Sequence, residues 1–150
     1  PATANTIRGF IRKLKGKKTI ILFTHYMDEA EHCNSIGFLY YGNILSLDTP
    51  NAMKEKIIDG DIVEIKVNNT LKSIELLKEK CNVRDASVYG AGIHVMTKPG
   101  VNLIELKEYL IQNHINVISI KKVRPTLEDV FIFLVEKENK IKELDFRYEL

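Results

Sequence analysis

The chain has 150 residues, of which 45% are hydrophobic and 28% are charged, as in an ordinary globular protein with one domain or two small ones. Its net charge of +2 is too small to indicate a nucleic-acid partner, and no apolar run approaches the length of a bilayer span. Cys33 and Cys81 lie far apart and outside any C-x-x-C pattern, so we expect no disulfide framework and no metal site.

Three elements are predicted near the start of the chain. Residues 4–15 carry apolar side chains at the spacing of an amphipathic helix, and Gly16 is placed to end it. Residues 19–24 form an apolar, β-branched run that is too short for a globular helix. Such a run is typical of a strand buried on both faces of a parallel sheet. A short helix over about residues 27–34 follows.

A hairpin and another helix come next. Residues 36–41 and 44–47 have the composition of two strands, joined at Gly42-Asn43, which is a typical two-residue turn. Thr49-Pro50 then predicts the N-cap and first position of a helix that runs through Ile57. The pattern changes after this helix, so we place a domain boundary there.

The two predicted domains are residues 1–59 and residues 60–150. The second begins with the order strand, helix, strand, strand, helix, strand, which is the ferredoxin-like arrangement with two helices on one face of a four-stranded antiparallel sheet. Thr70 is expected to cap the first of these helices. A last helix begins at Thr126 and is expected to dock on the first domain or on the sheet. The predicted six elements lie at residues 63–67, 70–81, 83–89, 93–97, 102–110 and 117–123.

His25 follows the predicted strand directly. Because ligands of open α/β sheets bind at the carboxyl ends of the strands, this position would place His25 at a binding edge. The pattern alone also allows an ordinary loop histidine, which is the commoner case. Asp28 and Glu31, just beyond it, have the spacing of a capping box.

Two segments resemble one protein family. Residues 24–31, Thr-His-Tyr-Met-Asp-Glu-Ala-Glu, are similar to the switch-histidine segment of ABC transporter ATP-binding subunits, above all in the drug-efflux (daunorubicin-resistance-like) branch. Residues 125–131, Pro-Thr-Leu-Glu-Asp-Val-Phe, are similar to a segment near the end of many members of that branch. The resemblance implies an α/β fold: residues 1–59 would be the C-terminal part of a P-loop NTPase-type nucleotide-binding domain, and residues 60–150 a small ferredoxin-like α+β accessory domain.

The same resemblance implies a function. His25 would be a catalytic residue that contacts the γ-phosphate of ATP bound between two such subunits, in a transporter that exports its substrate. The implied cofactors are ATP and Mg²⁺, both bound through parts of the protein missing from this chain. The implied partners are transmembrane permease subunits and a second ATP-binding subunit, at the cytoplasmic face of the cell membrane. Since the chain begins with Pro1 and has no P-loop, we expect an inactive fragment.

The sequence also allows other interpretations. The main alternative is a non-enzymatic ferredoxin-like interaction or ligand-sensing module formed by residues 61–136. Residues 16–19, Gly-Lys-Lys-Thr, lack the glycine spacing of a P-loop and precede a strand instead of a helix. An RNA-recognition module is disfavoured, because the central strands carry no aromatic pair. Alternation along the strand turns His94 to the face opposite Ile93 and Val95, and the sequence offers it no partner that would indicate chemistry.

Overall fold

The computed structural model describes residues 9, 11, 13, 14 and 16–148, and the described part is mixed α and β with antiparallel strand pairs. Its helices and strands, in chain order, are α1 (Met27–Ala30), β1 (Ile36–Tyr40), β2 (Asn43–Asp48), α2 (Pro50–Lys56), β3 (Asp61–Val67), α3 (Thr70–Lys78), β4 (Val83–Tyr89), β5 (Gly92–Thr97), α4 (Leu103–Gln112), β6 (Val117–Val123) and α5 (Leu127–Tyr148).

The last four strands form one antiparallel sheet in the order β4-β5-β3-β6, and β1 and β2 form a separate hairpin. β3 is a central strand: its Ile65 lies opposite Ile93 on β5 and opposite Ile120 on β6. The connections run strand, helix, strand, strand, helix, strand, which is the predicted order. A sheet of this order brings the first and third strands to its centre, where both faces are available for packing.

Helices α3 and α4 cover one face of the sheet, as predicted. Leu77 of α3 and Leu106 and Leu110 of α4 are fully buried against alternate residues of the strands. Burying each aliphatic side chain of this size stabilises the fold by about 2 kcal/mol. This first cluster consists of Val63, Ile65, Val67, Leu77, Val83, Ala86, Ile93, Val95, Leu106, Leu110 and Ile115.

The opposite face of the sheet packs against α5, α2 and the hairpin. Alternation along β3 and β5 turns Ile62 and Met96 to this side, where α5 contributes Leu127 and Val130. The last helix therefore docks on the sheet and also contacts the hairpin, where Phe131 lies 5.4 Å from Phe38 between ring centroids. This second cluster consists of Ile36, Phe38, Met53, Ile58, Ile62, Met96, Leu127 and Val130.

The strand predicted over residues 19–24 is absent. These residues are irregular, and Ile21 and Phe23 are 78% and 88% exposed. A strand needs a neighbour to pair its N–H and C=O groups, and one that is apolar on both sides also needs cover on both faces. The described residues supply neither, so this prediction is wrong for the structure, and no parallel sheet forms in the described part of the chain.

The first predicted helix, residues 4–15, lies largely outside the described residues. Residues 9, 11, 13 and 14, which are described, are helical. Gly16 has a φ of +80°, the left-handed conformation expected of a glycine that ends a helix.

The capping box predicted for α1 does not form. α1 ends at Ala30, and its N-cap residue, Tyr26, makes no side-chain capping hydrogen bond. Asp28 and Glu31 therefore do not cap each other's amides. The four residues that follow form turns instead of extending the helix to residue 34.

Two other local predictions are shifted by one residue. Asn69, not Thr70, caps α3 and accepts a hydrogen bond from the backbone N–H of Lys72 at 3.2 Å. The hairpin turn consists of Tyr41 and Gly42, with φ values of +45° and +81°. A type I′ turn, which is common in tight hairpins, requires a positive φ at both central residues. The glycine therefore occupies the second position of the turn instead of the first.

Candidate functional site

His25 lies at the end of the irregular segment and is exposed to solvent. Its ring is 4.1 Å from the ring of Tyr26, tilted by 37°. The residue before it is held in a local turn: the Thr24 hydroxyl donates to Glu29 Oε2 at 2.7 Å and accepts from the Tyr26 N–H at 3.0 Å. His25 is thus presented on a short, hydrogen-bonded loop, from which its imidazole can reach a ligand without unfolding anything.

The helix after His25 is attached to the rest of the molecule. Met27, Ala30 and Cys33 pack against the second cluster. Beyond the helix, the Glu31 carboxylate accepts two hydrogen bonds from Lys54 Nζ on α2, at 2.7 and 3.0 Å. Glu31, predicted as a capping residue, is therefore an anchor between α1 and α2.

A second polar group lies buried between the sheet and α5, and the sequence analysis missed it. His94 on β5 and Asp129 on α5 are both 4% exposed, with 2.8 Å between His94 Nδ1 and Asp129 Oδ1. The other carboxylate oxygen of Asp129 accepts from the backbone N–H and the hydroxyl of Thr126, at 2.7 Å each. Tyr89 stacks on the His94 ring at 3.7 Å. The sequence analysis did not identify Asp129 as the partner of His94.

The charge state of Asp129 follows from these contacts. Burial opposes the charged carboxylate, but the hydrogen bonds from His94 and Thr126 outweigh it and lower the pKa of Asp129. One carboxylate thus caps the start of α5 and links that helix to the central strand β5. The pair of His94 and Asp129, called the clasp below, therefore has a structural role in joining the sheet to the last helix.

Beside the clasp lies a small crevice of about 10 Å³, lined by Asp85, Ser87 and His94 among others. That volume is enough for one water molecule and far too small for a nucleotide. His94 Nε2 is buried here without a hydrogen-bond partner in the described part of the chain.

A second carboxyl group on α5, that of Glu136, lies further along the helix and is partly buried. Burial and the neighbouring Asp85 carboxylate raise the pKa of Glu136. Asp85 itself pairs with Lys78 Nζ at 2.7 Å.

The structure does not bring the two histidines into one site. His25 belongs to an exposed loop, and His94 belongs to the buried clasp. Alternation along β5 correctly placed His94 on the face opposite Ile93, and the last helix was correctly predicted to begin at Thr126, which is its N-cap. That α5 would cross this face of the sheet was one of two placements left open, so the contact between His94 and Asp129 could not be read from spacing.

Neither a metal-binding cluster nor a membrane-spanning helix is present in the described part of the chain. Over the described residues, no set of three His, Cys, Asp or Glu side chains is arranged to bind a metal ion. None of the described helices combines the length and the apolar content needed to cross a bilayer.

Comparison with known proteins gives the family. Residues 49–135, more than half of the chain, match the family described as ATP-binding protein DrrA1-3-like, C-terminal domain. The chain belongs to this family. The DrrA1-3-like match begins at Thr49, the N-cap of α2, and ends within α5, so it includes the whole four-stranded sheet and Asp129. His25 and the hairpin precede it.

Several curated relatives of this DrrA1-3-like chain are ABC transporters by name. ABC transporter A family member 7 of Dictyostelium discoideum is 31% identical over 140 residues, which cover 87% of this chain and 16% of that protein. Nod factor export ATP-binding protein I of Rhizobium sp. (strain N33) is 30% identical over 132 residues, covering 81% of this chain and 38% of that protein. The chain therefore spans well under half the length of either relative.

A third relative is similar over a shorter stretch. Probable multidrug ABC transporter ATP-binding protein YbhF of Escherichia coli (strain K12) is 44% identical over 36 residues, which cover 24% of this chain and 6% of that protein. Together with the DrrA1-3-like match, these names confirm the predicted resemblance to the C-terminal part of drug-efflux-type ABC ATP-binding proteins.

Proposed function

We propose that this chain is the C-terminal part of an ATP-binding subunit that hydrolyses ATP to drive an export-type ABC transporter. The observation that carries the proposal is the DrrA1-3-like match over residues 49–135, downstream of a switch-histidine-like segment whose histidine is exposed. The activity is assigned to the longer protein of which these residues are a part.

In this proposal His25 contacts the γ-phosphate of ATP and helps to position the attacking water. Its exposed imidazole on a hydrogen-bonded loop is compatible with that role, because a ligand can approach it from solvent. A contact at the γ-phosphate matters most when charge redistributes in the transition state. Phosphoryl transfer also needs a phosphate-binding loop and Mg²⁺ ligands, which we assign to the remainder of the protein.

Exposed apolar surface supports the assignment to a longer protein. The outer face of the β1–β2 hairpin carries Leu39, Ile44 and Leu47, which are 59–68% exposed, and Ile21 and Phe23 lie open nearby in sequence. Apolar surface of this kind marks a face that another part of the protein covers. We propose that the rest of a P-loop NTPase-type nucleotide-binding domain lies here and supplies the strands that residues 19–24 lack.

The other parts of the proposal concern domains and partners. We assign residues 1–59 to the nucleotide-binding domain and residues 60–150 to a ferredoxin-like accessory domain. The alternation of strands and helices from β3 to β6 supports the second assignment. The proposed partners are a transmembrane permease and a second ATP-binding subunit, at the inner face of the cell membrane. The second cluster contains residues from both sides of position 60, so the two proposed domains share a core.

The test is His25→Ala in the full-length subunit assembled with its permease. We expect ATP turnover to fall by about a hundredfold while ATP binding persists, as when one transition-state hydrogen-bond donor is removed. His32→Ala is the matched control, because His32 is also an exposed histidine and lies just after α1, whereas His25 lies just before it. Unchanged turnover in His25→Ala would remove His25 from the mechanism.

The alternative, a ligand-sensing or interaction module without enzymatic activity, makes a different prediction. The full-length protein would then show no ATP hydrolysis that depends on His25. For the 150-residue chain alone, a nucleotide titration should give no tight binding under the ATPase proposal, since the phosphate-binding parts lie elsewhere. Micromolar ATP affinity of this chain would contradict that assignment.

A further inference from the structure

We propose that Lys54 is a positioning residue for His25, acting through Glu31, and that the DrrA1-3-like part of the chain thereby holds the histidine in place. The inference rests on the proposed function of His25. It gives the DrrA1-3-like part of the chain a role in catalysis without placing any of its residues on the nucleotide.

The contact between Lys54 and Glu31 is short and partly withdrawn from water. Both carboxylate oxygens accept from Lys54 Nζ, at 2.7 and 3.0 Å, and the side chains are 21% and 33% exposed. A charge-assisted pair of this geometry is stronger and more directional than a fully exposed surface pair. It joins the residue after α1, six positions beyond His25, to the middle of α2.

Lys54 lies on α2, a helix that is packed and capped. The preceding residue, Met53, is fully buried in the second cluster. α2 begins with Pro50, and the Thr49 side chain caps it by accepting from the Ala52 N–H at 3.2 Å. α2 therefore has a defined start and a buried side, which fix the backbone position of Lys54.

A continuous set of contacts connects Glu31 to the loop of His25. Met27 and Ala30 pack α1 on the second cluster, which leaves the opposite side of the helix to face outward. Glu29, also on α1, accepts from the Thr24 hydroxyl. The residues on either side of His25 are therefore tied to α1, and a displacement of α1 displaces the imidazole.

His25 has few other constraints. In the described part of the chain its recorded ring contact is with its neighbour Tyr26. Loosening α1 would therefore leave the sheet and the first cluster intact while widening the range of imidazole positions. A misplacement of about 1 Å is enough to cost orders of magnitude in rate, because catalysis requires closely defined geometry.

The experiment is Lys54→Met in the full-length subunit with its permease. Methionine keeps the apolar stem and removes the charge. We expect kcat to fall by about tenfold with little change in the KM for ATP, because nucleotide contacts are untouched. Lys54→Arg should retain most of the rate, and the exchange Lys54→Glu with Glu31→Lys should recover most of the loss.

The matched control is Lys122→Met. Lys122 Nζ pairs with Asp61 Oδ2 at 2.8 Å on the sheet, and its removal breaks an ion pair of the same kind without touching α1. Its kcat should equal that of the wild type. In the 150-residue chain, the NMR signals of the His25 imidazole should shift or broaden in Lys54→Met and stay unchanged in Lys122→Met.

The outcomes separate the two proposals. If His25→Ala loses turnover but Lys54→Met does not, the positioning role is overturned and the proposed function stands. If both lysine variants lose turnover equally, or if the charge exchange recovers nothing, the effect is general destabilisation and the inference is overturned. If His25→Ala keeps its turnover, the proposed function itself fails.

Discussion

The segment before the hairpin and the central strand β3 both contain apolar, β-branched residues but have different surroundings. Residues 20–23 are apolar throughout and β3 is interrupted by charged residues, yet Ile21 and Phe23 are exposed whereas Val63 and Ile65 are fully buried. The difference lies in their neighbours: β3 has a strand on each side and helices on both faces, and residues 19–24 have no strand partner in the described structure. Burial is therefore a property of the assembled layers and not of the local sequence.

The two histidines show the same contrast. His94 is locked by Asp129 and Tyr89 in the interior, and His25 projects from a loop. A buried, doubly constrained imidazole contributes to stability, and an exposed one is available to a ligand. Variants at the two regions should therefore affect different measurements.

The largest effect on stability is expected from Asp129→Ala. It removes the carboxylate that accepts from Thr126 at the start of α5 and leaves His94 Nδ1 without its partner in the interior. We expect the free energy of unfolding to fall by about 3 kcal/mol, measured by urea denaturation of the 150-residue chain. The neighbouring Glu128 is exposed, so Glu128→Ala is the control and should change stability by less than about 0.5 kcal/mol. Equal losses in both variants would show that the clasp is not special.

A smaller effect is expected from pH. The pKa of Asp129 is lowered, so its contribution to stability is complete above the ordinary value of 3.8 and is lost as the pH falls through the lower folded pKa. The pKa of Glu136 is raised, first by burial and then by Asp85, so its contribution is complete below 4.5 and is lost as the pH rises through the folded pKa.

The opposite pH dependences of the Asp129 and Glu136 contributions can be separated by variants. Asp129→Asn should flatten the acid side of the stability curve, and Glu136→Gln should flatten the fall of stability above pH 4.5. The measurement is the free energy of unfolding at pH values from about 3 to about 8, a range that includes the ordinary carboxyl pKa values. An unchanged slope in Glu136→Gln would contradict the interaction of Glu136 with Asp85.

The smallest effect is expected from Phe23→Ala. Because Phe23 is 88% exposed, the free energy of unfolding of this chain should change by less than about 0.5 kcal/mol. Ile65→Ala, in the first cluster, should cost about 3 kcal/mol in the same assay. In the full-length protein Phe23→Ala should become clearly destabilising, since the proposed nucleotide-binding domain covers it. No difference between the two contexts would argue against that cover.

Much of the fold was predictable because its signals are local. The bounds of β4 and β6 and the helix starts at Thr49 and Thr126 follow from side-chain periodicity and from the hydrogen-bonding capacity of short polar residues. Such signals act within one turn or one strand, and nothing distant overrides them here. The order of elements then restricted the sheet to few topologies.

The contacts that define the two sites were not predictable in the same way. Glu31 was assigned to a capping box, yet it pairs with Lys54, which is 23 residues away. The contact of His94 with Asp129, which is 35 residues away, was not identified. Neither contact could be read from the sequence because a charged group has several possible partners along the chain, and the packing of helices selects one of them.

The sequence by itself determined the order of strands and helices from residue 36 onward, most helix starts and the resemblance to ABC ATP-binding proteins, because these depend on neighbours along the chain. Only the tertiary structure decided that α5 crosses the sheet to join His94, that α1 is anchored to α2, and that residues 19–24 stay uncovered. The physical reason is that burial and ion pairing depend on which surfaces meet in space. Spacing along the chain does not specify those surfaces.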